Sequence, residues 1–229
     1  MSTDNDPPPP YSTRDPLVAA PPCQVASPTF YHIFRSHFGN YKVDHANKKP
    51  AFYIATRSLR KPNLIVHLGD GEIDKVVAHC EYPELGTIYK IGLFATLNDK
   101  SSITWTKMTS DWRFEAVVRV PDITRMSATV SAKRTFLWKR TPNLTLVDEE
   151  TGLEAAVVHM VGFSSRKCYV LEIRERYGAA FDLLVVTSTI AIYEKERKAS
   201  SEQQIRITGR GPAGAQTAAI SGAFSGGGG

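Results

Sequence analysis

Residues 179–193 read AAFDLLVVTSTIAIY, and this stretch restricts the folds that the chain can adopt. It is one continuous apolar run of 15 residues in which Asp182 alone is charged. A bilayer-spanning helix needs about 20 apolar residues, so we predict no transmembrane span. A helix that is apolar nearly all round belongs in a protein core, so the run needs other elements around it.

The same run contains conflicting signals for its secondary structure. Its β-branched residues favour a strand, because they disfavour the helix slightly. Its length favours a helix, because strands usually extend over about five or six residues. The mixed-charge sequence EKERK follows at 194–198, where cations suit the C-terminal end of a helix. We therefore predict a hydrophobic C-terminal helix whose core part covers residues 177–193.

The chain before this helix has the pattern of short β-strands. In 111–120 (DWRFEAVVRV), apolar residues such as Phe114 and Val118 alternate with Arg113 and Arg119, the period of a half-buried strand. Turn sequences separate such segments about every 10 residues, which favours antiparallel β-structure over βαβ units. Strands that precede a core helix can close into a barrel around it. The predicted strands are 51–56, 64–68, 75–80, 87–95, 103–108, 111–120, 127–132, 144–147, 155–160 and 168–173.

Composition divides the chain into a folded centre and two tails. Eight of the 14 prolines lie in the first 28 residues, and eight of the 16 glycines lie in 201–229. Such composition buries too little apolar surface to fold. We predict a proline-rich disordered tail over 1–28, one barrel domain over 29–199, and a Gly/Ala/Ser-rich disordered tail over 200–229.

The folded part is basic, and its charge is concentrated in one region. The chain has a net charge of +5, and residues 101–140 hold eight basic residues against three acidic ones. A basic face attracts the phosphates of lipids, whereas a solvated strand face is the alternative interpretation. From charge density alone, the predicted lipid-binding residues are Lys107, Arg113, Arg119, Lys133, Arg134, Lys139 and Arg140.

Three segments together resemble a known family. They are the DEETG turn at 148–152 between NLTLV and LEAAVV, the FLWKR segment at 136–140, and the closing apolar helix. In pattern and order the chain is similar to the tubby C-terminal-like superfamily, which includes tubby domains, phospholipid scramblases and LURP-one-related proteins. The resemblance implies a closed antiparallel barrel of twelve strands around the hydrophobic helix. It also implies phosphoinositide binding at a basic pocket. The scramblase branch is less similar, since its cysteine-rich acylation segment is not seen.

Motifs of enzymes and cofactor sites are not found in the sequence. It contains no GxSxG, P-loop or metal-spaced cluster of histidines and cysteines, so we expect a non-enzymatic protein with no catalytic residues, metal or cofactor. Nucleic acid is not an expected partner, because the RRM and OB aromatic signatures are missing. No signal peptide follows Met1. We expect a cytoplasmic protein, with the plasma-membrane surface and the nucleus as alternative locations.

The N-terminal tail contains a short peptide motif. Pro8, Pro9, Pro10 and Tyr11 form a PPxY sequence, and such segments favour the polyproline helix that WW domains bind. The alternative to lipid binding is therefore an interaction scaffold that WW-domain proteins recruit through Pro8, Pro9 and Tyr11. A passive spacer is the other interpretation of the prolines, and a scramblase-like membrane-associated protein is a third possible function.

Substitution of Tyr11 tests the WW hypothesis separately from lipid binding. We expect Tyr11→Ala to abolish capture of the full chain by WW domains, because the tyrosine ring fills part of the aromatic groove. Binding to anionic vesicles should persist in the same variant. Pull-down and vesicle flotation measure the two properties, and equal WW capture of both chains would contradict the hypothesis.

Overall fold

A computed structural model describes residues 27–58, 60–83, 87–95, 102–121, 129–161 and 167–208. These residues form twelve strands followed by one helix. The strands are β1 (Thr29–Arg35), β2 (Tyr41–His45), β3 (Pro50–Thr56), β4 (Leu64–Leu68), β5 (Val76–Glu81), β6 (Tyr89–Phe94), β7 (Ile103–Met108), β8 (Arg113–Pro121), β9 (Thr129–Thr141), β10 (Asn143–Asp148), β11 (Glu154–Met160) and β12 (Lys167–Ile173), and the helix is α1 (Ala179–Thr208).

The strands form a closed antiparallel barrel. Each strand pairs with its neighbour in sequence, and β1 closes the barrel by pairing with β12. In that closing ladder Thr29 lies opposite Ile173, and Ile33 lies opposite Tyr169. Closure removes the exposed edges that an open sheet would present. The predicted mainly-β barrel around a C-terminal helix is therefore confirmed.

Strand boundaries agree with the prediction in the centre of the chain and differ at its start. β4 and β7 have the predicted bounds, whereas β1 and β2 were missed. β2 has only five residues, and Lys42, Asp44 and His45 leave little apolar pattern to detect. Residues 129–132 of the predicted strand 127–132 and the FLWKR segment belong to one strand of 13 residues, β9, and residues 127–128 lie outside the described residues.

Helix α1 occupies the barrel interior. Val185, Val186, Ala191 and Ile192 are each 0% exposed, although they point in different directions around the helix axis. Burial of this kind contributes about 1.5–3 kcal/mol for each large apolar side chain. The barrel wall thus supplies the core that the apolar run requires.

Three polar residues in the buried part of α1 make hydrogen bonds within the core. Thr187 and Thr189 donate to the carbonyls of Leu183 (2.7 Å) and Val185 (2.8 Å). Ser188 donates to the Val185 carbonyl and accepts a 3.1 Å bond from the indole N–H of Trp138 on β9. Because each hydroxyl has a partner, its burial avoids the cost of an unsatisfied polar group.

The helix begins later and ends later than predicted. It starts at Ala179, after Gly178 with a positive φ of 105°, so Tyr177 lies before the helix. It continues to Thr208, beyond the predicted end of the folded domain at residue 199. Ser200 and Ser201 donate to carbonyls one turn earlier. The sequence after Glu194 is polar and lacks an apolar stripe, which is why hydrophobic patterning did not detect this extension.

No helix in the described part of the chain is long and apolar enough to span a bilayer. This agrees with the prediction from the length of the apolar run. The residues that follow Tyr193 are charged, so the apolar run does not continue along the rest of the helix.

Truncation of a buried helix residue tests the core position of α1. Ile190 is 1% exposed, so Ile190→Ala should lower the free energy of unfolding by about 2–5 kcal/mol. Ser200→Ala on the exposed extension of the same helix is the matched control and should change it by less than about 0.5 kcal/mol. Urea denaturation of both variants provides the measurement, and equal stabilities would contradict a helix inside the barrel.

Candidate functional site

The seven predicted lipid-binding residues do not lie on one face of the barrel. Residues alternate in direction along a strand, and on β9 the buried Phe136 and Trp138 place Arg134 and Arg140 on the inner side. Lys133 and Lys139 are exposed on the outer side. The sequence pattern located the charges correctly on strands but did not separate the two sides of β9.

Arg134 belongs to a buried network at the start of α1. Its Nη1 donates a 2.6 Å bond to Asp148 Oδ2, which also accepts a 2.8 Å bond from the Tyr177 hydroxyl. Asp148 is 0% exposed, and the amide N–H of Glu150 donates to its other oxygen. Burial alone would raise the pKa of Asp148, but the hydrogen bonds from Tyr177, Glu150 and Arg134 lower it below its ordinary value. The network therefore stabilises the fold at neutral pH and is lost as the pH falls through that lowered pKa.

Arg140 lies at the opposite end of the barrel. Its guanidinium donates to both oxygens of Glu196, where α1 leaves the barrel. Six residues of strand separate it from Arg134, which corresponds to about 20 Å. The two arginines therefore cannot contact one headgroup.

The other five predicted residues lie on the outer surface. Lys133 pairs with Glu115 at 2.6 Å, and Arg113 pairs with Glu149 at 3.0 Å. Lys107, Arg119 and Lys139 form no ion pair with a described residue. Along the β8–β9 ladder, Arg119 and Lys139 are about eight residues or 26 Å apart. The outer surface is thus a mixed-charge face and not one basic pocket.

A different region concentrates positive charge in a concave site, which we call the basic pocket. It has a volume of about 400 Å³ and lies where α1 emerges from the barrel. Among the described residues, four cations and one carboxylate, that of Glu202, line it. The cations are Arg60 and Lys61 from the β3–β4 connection and Lys195 and Lys198 from α1.

Aromatic rings hold the two helix lysines of the basic pocket. Lys195 Nζ lies 4.3 Å from the ring centroid of Trp112 and 5.4 Å from that of Tyr89. Lys198 Nζ lies 4.9 Å from the ring centroid of Tyr82. Such contacts orient an ammonium group without neutralising its charge. Both lysines are half-buried, and neither forms an ion pair with a described residue.

A strained backbone conformation and one hydrogen bond fix the walls of the basic pocket. Trp112 has a positive φ of 67°, which is unfavourable for an aromatic residue and persists only where packing fixes it. On the other wall, Asn63 Oδ1 accepts a 2.7 Å bond from the Tyr82 amide and joins the β3–β4 connection to the end of β5. The walls of the pocket are therefore tied to the barrel.

The neighbouring charges at this end of α1 are paired with each other. Glu194 is 3% exposed, and it accepts hydrogen bonds from Tyr41 (2.5 Å) and Arg197 (2.8 Å). Burial opposes ionisation of Glu194, but the bonds from Arg197 and Tyr41 lower its pKa below the ordinary value. Glu194 therefore pairs with Arg197. Lys195 and Lys198 are not part of this pair, and both line the basic pocket.

The sequence contained part of the signal for this site. EKERK at 194–198 predicts a helix end, but nothing in the sequence places it beside Arg60 and Lys61, more than 130 residues earlier. Pro8, Pro9 and Tyr11 lie outside the described residues, so WW binding stays a prediction. Within the described ranges, no group of three or more His, Cys, Asp or Glu residues is placed to hold a metal ion.

Comparisons with known proteins identify no family for the chain. No family model matches it, and no curated protein matches it either. An X-ray structure of a protein from Arabidopsis thaliana is similar over 73% of this chain and 92% of the other, with a TM-score of 0.43 and 11% sequence identity.

Neutral replacement of Arg134 distinguishes a structural role from a lipid-binding role. We expect Arg134→Met to lower the free energy of unfolding by about 3–5 kcal/mol, because it leaves the buried Asp148 carboxylate without its cation. The neighbouring exposed pair is the control, and Lys133→Met should cost about 0–1 kcal/mol. Thermal and urea unfolding measure both, and an equally small effect of the two changes would refute the structural assignment of Arg134.

Proposed function

We propose that this protein binds anionic membrane lipid of the phosphoinositide class, with the headgroup in the basic pocket. The observation that carries the proposal is the convergence of Arg60, Lys61, Lys195 and Lys198 on one concave site, where Glu202 is the one carboxylate among the described lining residues. The barrel around a central helix agrees with the tubby-like resemblance of the sequence, and the proposed activity needs no catalytic group.

The chemistry of the pocket suits a headgroup with several phosphates. Each lysine or arginine near an anionic membrane surface contributes about 1 kcal/mol to binding. Two lysines held on aromatic rings lose little side-chain freedom when they bind, because their positions are already restricted. A volume of about 400 Å³ falls in the range of small-molecule sites, roughly 300–1,000 Å³.

Tyr82 adds a neutral donor to the same site. It lines the pocket, and its buried hydroxyl has no hydrogen-bond partner among the described residues. Burial raises the pKa of this hydroxyl well above its ordinary value, so the group stays protonated. A phosphate or inositol oxygen that reached it would satisfy a donor whose isolation otherwise costs about 1–3 kcal/mol.

The lipid-binding role of the seven strand residues stays a competing prediction. Arg134 and Arg140 are occupied by acidic partners, and Lys107, Arg113, Arg119, Lys133 and Lys139 are spread over the outer face. Binding through that face would depend on total surface charge. Binding in the basic pocket would depend on individual residues and on the headgroup.

Glutamine substitution separates these two modes of binding. We expect Lys198→Gln in the full chain to weaken binding to phosphatidylcholine vesicles containing phosphatidylinositol bisphosphate about fivefold, and Lys195→Gln with Lys198→Gln about thirtyfold. Lys133→Gln removes the same charge from the outer face and should have little effect. Flotation at increasing salt should show binding that weakens as charges are screened.

A comparison with phosphatidylserine tests whether the site is specific for phosphoinositide. Vesicles in which phosphatidylserine supplies the same total charge should bind more weakly than phosphatidylinositol bisphosphate vesicles. Equal binding to both, or a loss in Lys133→Gln as large as in Lys198→Gln, would indicate diffuse surface attraction and overturn the pocket. Folded protein that binds to none of these vesicles would overturn the proposed function itself.

A further inference from the structure

A second cavity lies inside the barrel wall, and the basic pocket does not include it. It has a volume of about 960 Å³ and lies between the first turns of α1 and strands β6 to β8. Its inner lining is mainly apolar and includes Leu93, Phe114, Ala116, Phe181 and Leu184. Residues of the outer face, such as Trp105, Lys107 and Val117, complete the lining, so the cavity extends from the surface to buried core side chains.

The cavity opens through the wall between β7 and β8. Among the described residues, Met108 and Phe114 are the one paired position of these two strands, whereas β8 pairs with β9 from Arg113 to Pro121. Residues from both sides of the wall line the cavity: Ala116 points inward, and Glu115 and Val117 point outward. The strands therefore separate beyond their hairpin and leave a gap that connects the apolar interior to the surface.

The mouth of the gap combines exposed apolar groups with positive charge. Trp105 and Val117 are 44% and 72% exposed. Trp105 lies across Gly92 of β6, where an added Cβ would come within 2.9 Å of the indole ring. Lys107 lines the mouth, and Lys90 lies directly opposite it on β6. Neither lysine forms an ion pair with a described residue, and like charges opposite each other on a sheet repel.

We infer that this cavity binds a single-chain anionic amphiphile of the fatty-acid type. Its acyl chain lies among Phe114, Ala116, Phe181 and Leu184, and its carboxylate lies at the mouth beside Lys107. Arg113 and Lys133 also lie at the mouth but are paired with Glu149 and Glu115. An anion near Lys107 offsets its repulsion with Lys90, and the chain covers the exposed apolar surface of Trp105 and Val117 as it enters. This inference does not rest on the proposed function, because the two sites share no lining residue.

A chain-length series provides the test of the apolar interior. The full chain is titrated with a dansyl-labelled undecanoate probe, which octanoate, decanoate, dodecanoate and tetradecanoate then displace. Burial of each added methylene should raise affinity about fourfold, and each pair about fifteenfold, until the cavity is full. Affinity that does not depend on chain length, or no probe binding, would overturn the inference.

A cavity-filling variant identifies the location of the chain. Ala116→Phe places a ring in the space for several methylenes, so dodecanoate affinity should fall about fifteenfold or more. Ser131→Phe adds the same ring at an exposed position on β9 outside the cavity and should bind normally. Thermal unfolding checks that both variants are folded. If Ala116→Phe does not fold, Thr106→Leu fills the same cavity from β7, and normal binding in a folded cavity variant would overturn the inference.

Charge reversal tests the position of the carboxylate. Lys107→Glu should weaken dodecanoate binding and leave the affinity for dodecanol nearly unchanged, because the alcohol has the same chain and no charge. An equal loss for both ligands would place the carboxylate elsewhere and overturn that part of the assignment. Lys195→Gln with Lys198→Gln should retain probe binding, and Ala116→Phe should retain vesicle binding, so failure of either proposal is recognised separately.

Discussion

The burial of an apolar helix inside a closed sheet is the constraint on which the rest of this structure depends. A helix apolar on all sides needs contacts all round, and a barrel of twelve antiparallel strands provides them. The same enclosure would be unfavourable for Thr187, Ser188 and Thr189, had their hydroxyls not found carbonyl and indole partners. Barrel and helix are therefore interdependent: the strands lack a filled interior without α1, and α1 lacks a core without the strands.

Buried carboxylates mark the two ends of this helix. Asp148 lies beside its start, with Arg134 and Tyr177, and Glu194 lies beside its exit, with Tyr41 and Arg197. Both carboxyl groups have lowered pKa values despite burial, because charged and neutral donors surround them. These networks use several of the basic residues of the chain for structure. Lys195 and Lys198 at the basic pocket and Lys107 at the β7–β8 gap belong to neither network.

The two candidate sites occur where the barrel and the helix depart from regular packing. The basic pocket forms where α1 continues beyond the barrel and brings Lys195 and Lys198 beside the β3–β4 connection. The cavity forms where β7 and β8 separate after the pair Met108 and Phe114. The turn that contains Trp112 lies between them, since its ring covers Lys195 and the next residue, Arg113, lines the cavity. We propose a polar headgroup for the first site and an acyl chain for the second.

The sequence by itself determined the architecture, because hydrophobic periodicity is local. The length of the run at 179–193 favoured a core helix over a strand, and the alternation in segments such as 111–120 indicated half-buried strands. The mixed pattern of β1 and β2, and the polar extension of α1 past residue 199, gave no such signal. Charge was less informative than periodicity, because the sign of a side chain's charge does not show on which side of a strand the side chain lies. Tertiary structure alone decided that Arg134 pairs with the buried Asp148, that Arg60 and Lys198 line one pocket, and that β7 and β8 separate, since each results from the closure of the barrel around the helix.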